Sequence, residues 1–369
     1  MPNPKRILIV LIAGIGDLIL SSKSIRSISR GEEGSVGITL LTSTDVVRLA
    51  QTYPYFEDVY GFPIRELRNE KTYITNVVRL VYELRKLNFD LIANLYRIGS
   101  KSGALKMGLL FSMLKAGIKI GQDRHGFGRF LDVSLPPSTF EGRHVVDAMQ
   151  EIAVKAGGIP DDRGIEVYWN PKAETRWRSF FDSVAGKIVI GINPGGDRAN
   201  RRWAPDRFAA VAVRLVERFD ARIVLLGGPG DRDIASSIVQ AIPSGVSNLS
   251  GTIPLDELPY VISRLHLLVT NDSGPGHFAS LTPIHSIVMY GPETPALFGA
   301  IGGRFEVIHP RLACSPCVNV FNHRFSPCRN NLCMQSITVA EVYEKVAAAL
   351  AAKRSSAGCP GMDEIGEGR

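Results

Sequence analysis

The sequence predicts an α/β fold of two Rossmann-like, doubly wound parallel-sheet domains that face a cleft. Three observations predict it. Continuous apolar runs of strand length recur, the first being Arg6-Ile-Leu-Ile-Val-Leu-Ile, as expected of strands buried on both faces. Helical segments alternate with these runs, and the alternation starts afresh near the middle of the chain. Glycine-rich turns follow several runs directly, at the carboxyl ends of strands where this architecture binds ligands. The length of 369 residues suits two domains at roughly 150 residues each.

In chain order, the strand at 6–12 leads into a helix over 17–29. Strands at 36–41, 59–62 and 90–94 follow, with helices over 45–51 and 72–87 between them. A basic helix over 101–115, a short strand near Ile118 and a helix over 143–156 complete the first half. The boundary is expected near 170–187, because Asn170-Pro171 is a turn signal and Val184-Ala-Gly-Lys leads into a fresh buried strand at 188–192. The second half repeats the logic, with helices over 206–218, 231–241, 255–263 and 275–281. Its further strands fall at 222–226, 246–249, 267–270, 285–289 and 305–308, and a helix over 339–352 ends the fold. The expected domains are therefore 1–170 and 171–352, followed by a tail, 353–369, whose Ser, Gly and Pro without periodicity predict disorder.

Composition narrows the class. Apolar residues make up 45% and charged residues 21%, which excludes collagen-like, disordered and disulfide-scaffold chains. No run approaches the roughly 18 to 20 apolar residues that span a bilayer. Pro2 and Pro4 before a short apolar run do not read as a signal peptide, so a cytosolic location is expected. The 43 basic and 36 acidic residues are spread evenly over both halves, unlike the basic arm of a nucleic-acid binder. A local excess runs from Arg97 to Arg129, where Lys101, Lys106, Lys115, Lys119 and Arg124 add to the two ends against Asp123 alone. That balance favours anionic partners, such as phosphorylated sugars or an acidic membrane surface.

Chemistry is expected just after the strands. Ala13-Gly14-Ile15-Gly16-Asp17 follows the first one, but Ile19 occupies the place of the third glycine of a dinucleotide fingerprint. A carboxylate at a helix opening would also repel a pyrophosphate there. Asp17 thus reads either as a helix cap or as a general base at a cleft mouth. Asn193-Pro-Gly195-Gly196-Asp-Arg198 and Arg201-Arg202-Trp203-Ala-Pro205 together describe an anion site, with forked arginine donors suited to phosphate. The alternative is a solvated loop. Gly227-Gly-Pro-Gly-Asp231 repeats the pattern after the next strand. Asn271-Asp272-Ser273-Gly274-Pro-Gly-His277 leads into a helix whose N-terminal amides point at the cleft, unless Asp272 or Ser273 merely caps it. Gly291-Pro-Glu293-Thr294 closes the set. One anionic ligand held by several strand ends is the simplest account.

These motifs resemble the ADP-heptose:lipopolysaccharide heptosyltransferase family (glycosyltransferase family nine), whose members have the GT-B fold. The resemblance covers about 5–350 and rests on Gly14-Ile-Gly-Asp17, Asn193-Pro-Gly-Gly with Arg201-Arg-Trp203, Leu225-Leu-Gly-Gly-Pro229 and Asp272-Ser-Gly-Pro-Gly-His277. It implies an acceptor-binding N-terminal domain and a nucleotide-sugar-binding C-terminal domain. Asp17 matches the catalytic aspartate, with Gly14 and Gly16 forming the acceptor-side loop. Arg201 stands where many members have a diphosphate-contacting lysine. Asn193, Gly195, Gly196, Arg202, Asp272, Ser273, Gly274 and His277 fall on or beside the nucleotide-sugar contacts, and Asp231 and Ile253 line the nucleoside pocket. The implied reaction is inverting transfer of heptose from ADP-heptose to a lipopolysaccharide-core or related lipid-linked glycan. No clear Asp-x-Asp pair stands ready to hold a divalent ion, so transfer is expected to need no metal or other cofactor. Rival readings are a nucleotide-sugar epimerase of the same architecture and a non-catalytic nucleotide-sugar-binding protein.

Two features remain. Cys314, Cys317, Cys328 and Cys333 lie within twenty residues. In a cytosolic protein they read as a structural zinc site, as reduced or redox-active thiols, or as disulfides. The apolar segment 103–115, punctuated by Lys106 and Lys115, reads either as a helix packed on the first sheet or as a contact with the inner face of the cytoplasmic membrane.

Overall fold

Strand β1 (Lys5–Leu11) sends Ile7, Ile9 and Leu11 to one apolar cluster and Leu8 and Val10 to another. A strand with apolar side chains on both faces can be satisfied only in the middle of a covered sheet. That is where the computed structural model, which describes residues 5–31, 36–64, 70–136, 142–318, 326 and 328–357, places it. Strands β2 (Val36–Ser43), β3 (Asp58–Phe62), β4 (Phe89–Asn94), β5 (Ala116–Gln122) and β6 (Val133–Leu135) join it in the order β3-β2-β1-β4-β5-β6. All neighbours are parallel.

The second sheet repeats the first. It contains β7 (Val189–Asn193), β8 (Arg222–Leu225), β9 (Val246–Asn248), β10 (Leu267–Asn271), β11 (His285–Met289) and β12 (Arg304–Ile308), in the order β12-β11-β10-β7-β8-β9 and again all parallel. Each sheet therefore has one topological switch point, between β1 and β4 and between β7 and β10, where such sheets bind ligands.

Helices α1 (Ile15–Ser29), α2 (Val47–Ala50) and α5 (Val145–Lys155) cover one face of the first sheet; α3 (Glu70–Lys86) and α4 (Lys101–Met113) cover the other. Helix α6 (Lys172–Ser183) follows, and α7 (Pro205–Phe219) and α8 (Arg232–Ala241) pack on the second sheet. Short helices α9 (Leu258–Ser263), α10 (Gly274–Ser280), α11 (Pro295–Phe298) and α12 (Leu332–Ser336) lead to α13 (Val339–Ala357). The cluster containing α1 and α5 continues through Trp177, Val261, Leu268 and Phe278, so the two halves share one apolar core.

The structure departs from the sequence reading at three places. Helix α6 occupies the expected boundary region, with Ala173 and Trp177 buried against the shared core. Helix α13 runs to Ala357, so residues 353–357 extend it; 358–369 lie outside the described residues. Strand β6 and the one-turn helices α11 and α12 were not anticipated, being too short to show a period.

A buried ion pair ties α1 to the chain beyond α5. Arg26 donates to Asp161 at 2.6 Å, pairs with Glu166 at 2.7 Å and is 2% exposed. Arg163 and Arg26 hold the Asp161 carboxyl far below the usual carboxylate range.

Candidate active site

The β7 turn is fixed from below. Asn271, at the end of β10, donates to the Pro194 and Gly195 carbonyls at 2.9 and 3.0 Å and accepts from the Trp203 amide at 3.0 Å. One buried amide thus holds both ends of the loop 194–203. Trp203 is itself locked, its indole N–H donating to the Ile337 carbonyl at 3.0 Å. Asn193 donates to Thr270 and Ser273 hydroxyls, both at 3.0 Å. A Cβ at Gly195 would lie 2.5 Å from the Asp231 carboxylate, so a larger residue there would displace that side chain.

Arg202 donates twice to the Gly196 carbonyl, at 2.9 and 2.6 Å, and lies 3.7 Å from Asp231. Asp231 accepts from the Gly228 amide at 2.9 Å. Ile253 is half-buried two residues beyond Gly251, whose own position abuts Pro229 and Arg232 of the same turn. The solvated-loop alternative does not describe Arg201, which is 9% exposed. Its guanidinium bonds Asp272 at 3.3 Å and Glu293 at 2.6 Å, while its Nε has no hydrogen-bond partner among the described residues. Glu293, fully buried after β11, is the residue that sequence reasoning left without a role. Its only signal was its place in a fourth strand-end turn. Burial pushes the nearby Tyr290 hydroxyl up strongly, and the Asp272 and Glu293 charges add to the rise.

The two halves meet at α1 and α10. A Cβ on Gly16 would sit 2.9 Å from the buried His277 ring, and Gly274 opens α10 directly against Ile15. Neither helix shows the capping expected as the plain alternative. The α1 cap position is Gly14, which has no side chain to cap with, and Asp17 stands in the first turn. Ser273 occupies the α10 cap position, but its hydroxyl bonds Asn193, Thr270 and the Asn271 carbonyl instead. Asp272 is 8% exposed and is paired with Arg201. Asp17 acts on Tyr96, beyond β4: burial raises the Tyr96 hydroxyl, and the Asp17 carboxylate raises it further. Beside Tyr96, Leu95, Arg97, Gln122, Arg143 and Phe298 line a pocket that both halves share. The predicted site residues thus gather at the carboxyl ends of the two sheets, with Ile253 at the edge.

The sequence does contain one Asp-x-Asp, Asp231-Arg-Asp233, but Asp231 is committed to Gly228 and Asp233 is exposed on α8. Among the described residues no three His, Cys, Asp or Glu side chains are arranged to hold a metal. Cys314, Cys317, Cys328 and Cys333 form no disulfide among the described residues. Cys317 bonds the Ser326 hydroxyl and Cys328 the Asn330 carbonyl. Cys333 is buried beside Gly291, and burial pushes its thiol up.

Two doubly wound sheets joined through a shared core, each with its switch point turned to a common site, define a GT-B protein. The chain belongs to glycosyltransferase family 9 (heptosyltransferase), whose model matches residues 77–324. It is 25% identical to lipopolysaccharide heptosyltransferase 3 of Escherichia coli (strain K12) over 75% of this chain and 79% of that one. It is 26% identical to lipooligosaccharide heptosyltransferase 2 of Campylobacter jejuni subsp. jejuni serotype O:6 (strain 81116 / NCTC 11828), over 44% of this chain. There it spans about half the relative's length, 51%. The solved structure of E. coli ADP-heptose LPS heptosyltransferase II superposes with a TM-score of 0.72 at 18% identity, covering 95% of this chain and 99% of that one.

Proposed function

We propose that the protein is an inverting glycosyltransferase that moves heptose from ADP-heptose onto a lipopolysaccharide-core or related lipid-linked glycan. The observation that carries this reading is the contact between Gly16 and His277, which sets the Asp17 helix turn against the turn that follows β10. An acceptor hydroxyl is a poor nucleophile until a base removes its proton as the bond forms. Asp17 takes that proton. The acceptor oxygen bonds the anomeric carbon while the bond to the diphosphate breaks, and ADP leaves with the electron pair. One displacement inverts the centre.

Charge gathers on the departing diphosphate. Arg201 meets it already held by Asp272 and Glu293, with its Nε–H still unpaired among the described residues. Arg202, Asn193, Gly195, Gly196, Ser273, Gly274 and His277 complete the diphosphate and sugar side, and Asp231 and Ile253 border the nucleoside. The acceptor enters over Gly14 and Gly16 and the pocket containing Arg97, Gln122 and Arg143. In this reading the protein itself stabilises the leaving group, without a metal, at the cytoplasmic face of the inner membrane.

Thermal shift against ADP-, UDP-, GDP- and dTDP-sugars tests the donor assignment. A ligand at a hundredfold excess over its dissociation constant stabilises by about 2.7 kcal/mol. ADP-heptose should give the largest shift, and Arg201→Ala should weaken it. No shift with any of the four donors would overturn the reading.

A further inference from the structure

Among the described residues no helix is long and apolar enough to cross a membrane. Eleven large apolar side chains are exposed among the described residues, and the five most exposed lie on two neighbouring helices. Ile74, Val78 and Tyr82 fall at i, i+4 and i+8 on α3, and Leu105 and Leu109 at i and i+4 on α4. All five are between 59% and 76% exposed. Their helices already bury a different face: Leu80, Val81 and Leu84 of α3, and Met107, Leu110 and Phe111 of α4, pack on the same side of the first sheet. The two helices touch, with Arg85 donating to the Met113 carbonyl at 3.1 Å. Their outward stripes therefore lie side by side, facing away from the sheet.

Charge says what covers this face. Lys71, Arg79, Arg85 and Lys86 on α3, Lys101 and Lys106 on α4, and Lys115 just beyond are all exposed. The carboxylates on these helices are Glu70, at the start of α3, and Glu83, with which Lys86 pairs at 3.3 Å. Leu and Tyr side chains enter the acyl boundary of a bilayer while long basic side chains reach back to anionic headgroups. A second copy of the chain docking here would set like charges against each other.

We infer that the outer face of α3 and α4 seats the protein on an anionic bilayer surface. The inference deepens the proposal that the acceptor is lipid-linked, because α4 begins four residues after Arg97, which lines the shared pocket. An enzyme resting on this face would hold the pocket rim at headgroup level. The docking face is distinct from the residues assigned to transfer.

Co-sedimentation with vesicles tests it, using phosphatidylcholine alone and phosphatidylcholine mixed with phosphatidylglycerol. Wild-type protein should pellet with the mixed vesicles, less so at high salt, and weakly with the neutral ones. Val78→Asp combined with Leu105→Asp should lower the bound fraction about tenfold or more, with an unchanged melting temperature. Leu109→Glu serves as a second variant if the pair melts early. ADP binding without vesicles reads the donor site separately, so failure of the face and failure of the transferase reading are distinguishable. Equal binding to neutral and anionic vesicles, or undiminished binding by the variants, would overturn the inference. So would a dimer in size exclusion that the variants abolish while no vesicle binds.

Discussion

Two glycines of the same turn should respond in opposite ways to one added methyl group. At Gly16 a Cβ would lie 2.9 Å from both Cδ2 and Nε2 of His277. Carbon atoms prefer about 3.5–4.0 Å, so the overlap is roughly half an ångström or more. The ring has little room to yield, being 7% exposed, and α1 cannot simply lift away because Ile15 abuts Gly274. Overpacking of this kind costs about 1–3 kcal/mol. At Gly14 a Cβ would meet nothing within 4 Å, and its φ of −83° suits any residue. Gly14→Ala should therefore stay within about 0.5 kcal/mol of wild type, as surface changes do. At roughly 2–4 °C per kcal/mol for a domain of this size, thermal unfolding resolves the two variants. Gly16→Ala should also lower the transfer rate, because it displaces the Asp17 turn from His277. Equal melting temperatures and rates for the two variants would refute the close approach of α1 and α10.

The ion pairs give further tests. Asp161→Ala removes one of the two carboxylates on the buried Arg26, leaving Glu166, and should cost about 1–3 kcal/mol, read by urea unfolding; no measurable loss would mean that the pair is solvated. Because Arg163 and Arg26 depress the Asp161 carboxyl, its contribution is present above the unfolded value near pH 3.9 and disappears as pH falls through the lower folded value. Wild-type stability should thus fall from about pH 4 downward, more steeply than that of Asp161→Asn, and parallel slopes would contradict the assignment. Glu293→Gln removes one of two charges on Arg201 and should cost about 1–3 kcal/mol while tightening ADP binding in calorimetry; unchanged melting and affinity would detach Glu293 from the site. Purified protein should carry no stoichiometric zinc by metal analysis, and its cysteines should titrate as thiols. One zinc per chain would instead assign the cysteine cluster a structural metal.

The strand-end chemistry was legible because each element is local: an apolar run, a glycine turn and a helix start within a dozen residues. Asp17, Asn193 and Asp272 could be placed that way. Glu293 could not, since its partner Arg201 lies 92 residues away in sequence and the pairing exists only once β7 and β11 share a sheet. Helix α6 was obscured by Asn170-Pro171 and by its charged Lys172, Glu174, Arg176 and Arg178 around the buried Trp177. Likewise, the sequence shows α3 as amphipathic without showing that a second apolar stripe stays uncovered. That depends on which neighbours the sheet order supplies.

The proposed transfer rests on Asp17 acting as the base of a single displacement from ADP-heptose. Its most direct test is one experiment on Asp17→Asn: ADP-heptose binding by calorimetry, and transfer to a lipopolysaccharide-core acceptor under saturating donor. Donor affinity should stay close to that of wild type, with a transfer rate lower by about 10²–10⁴-fold. A variant that binds donor and transfers at the wild-type rate would contradict it.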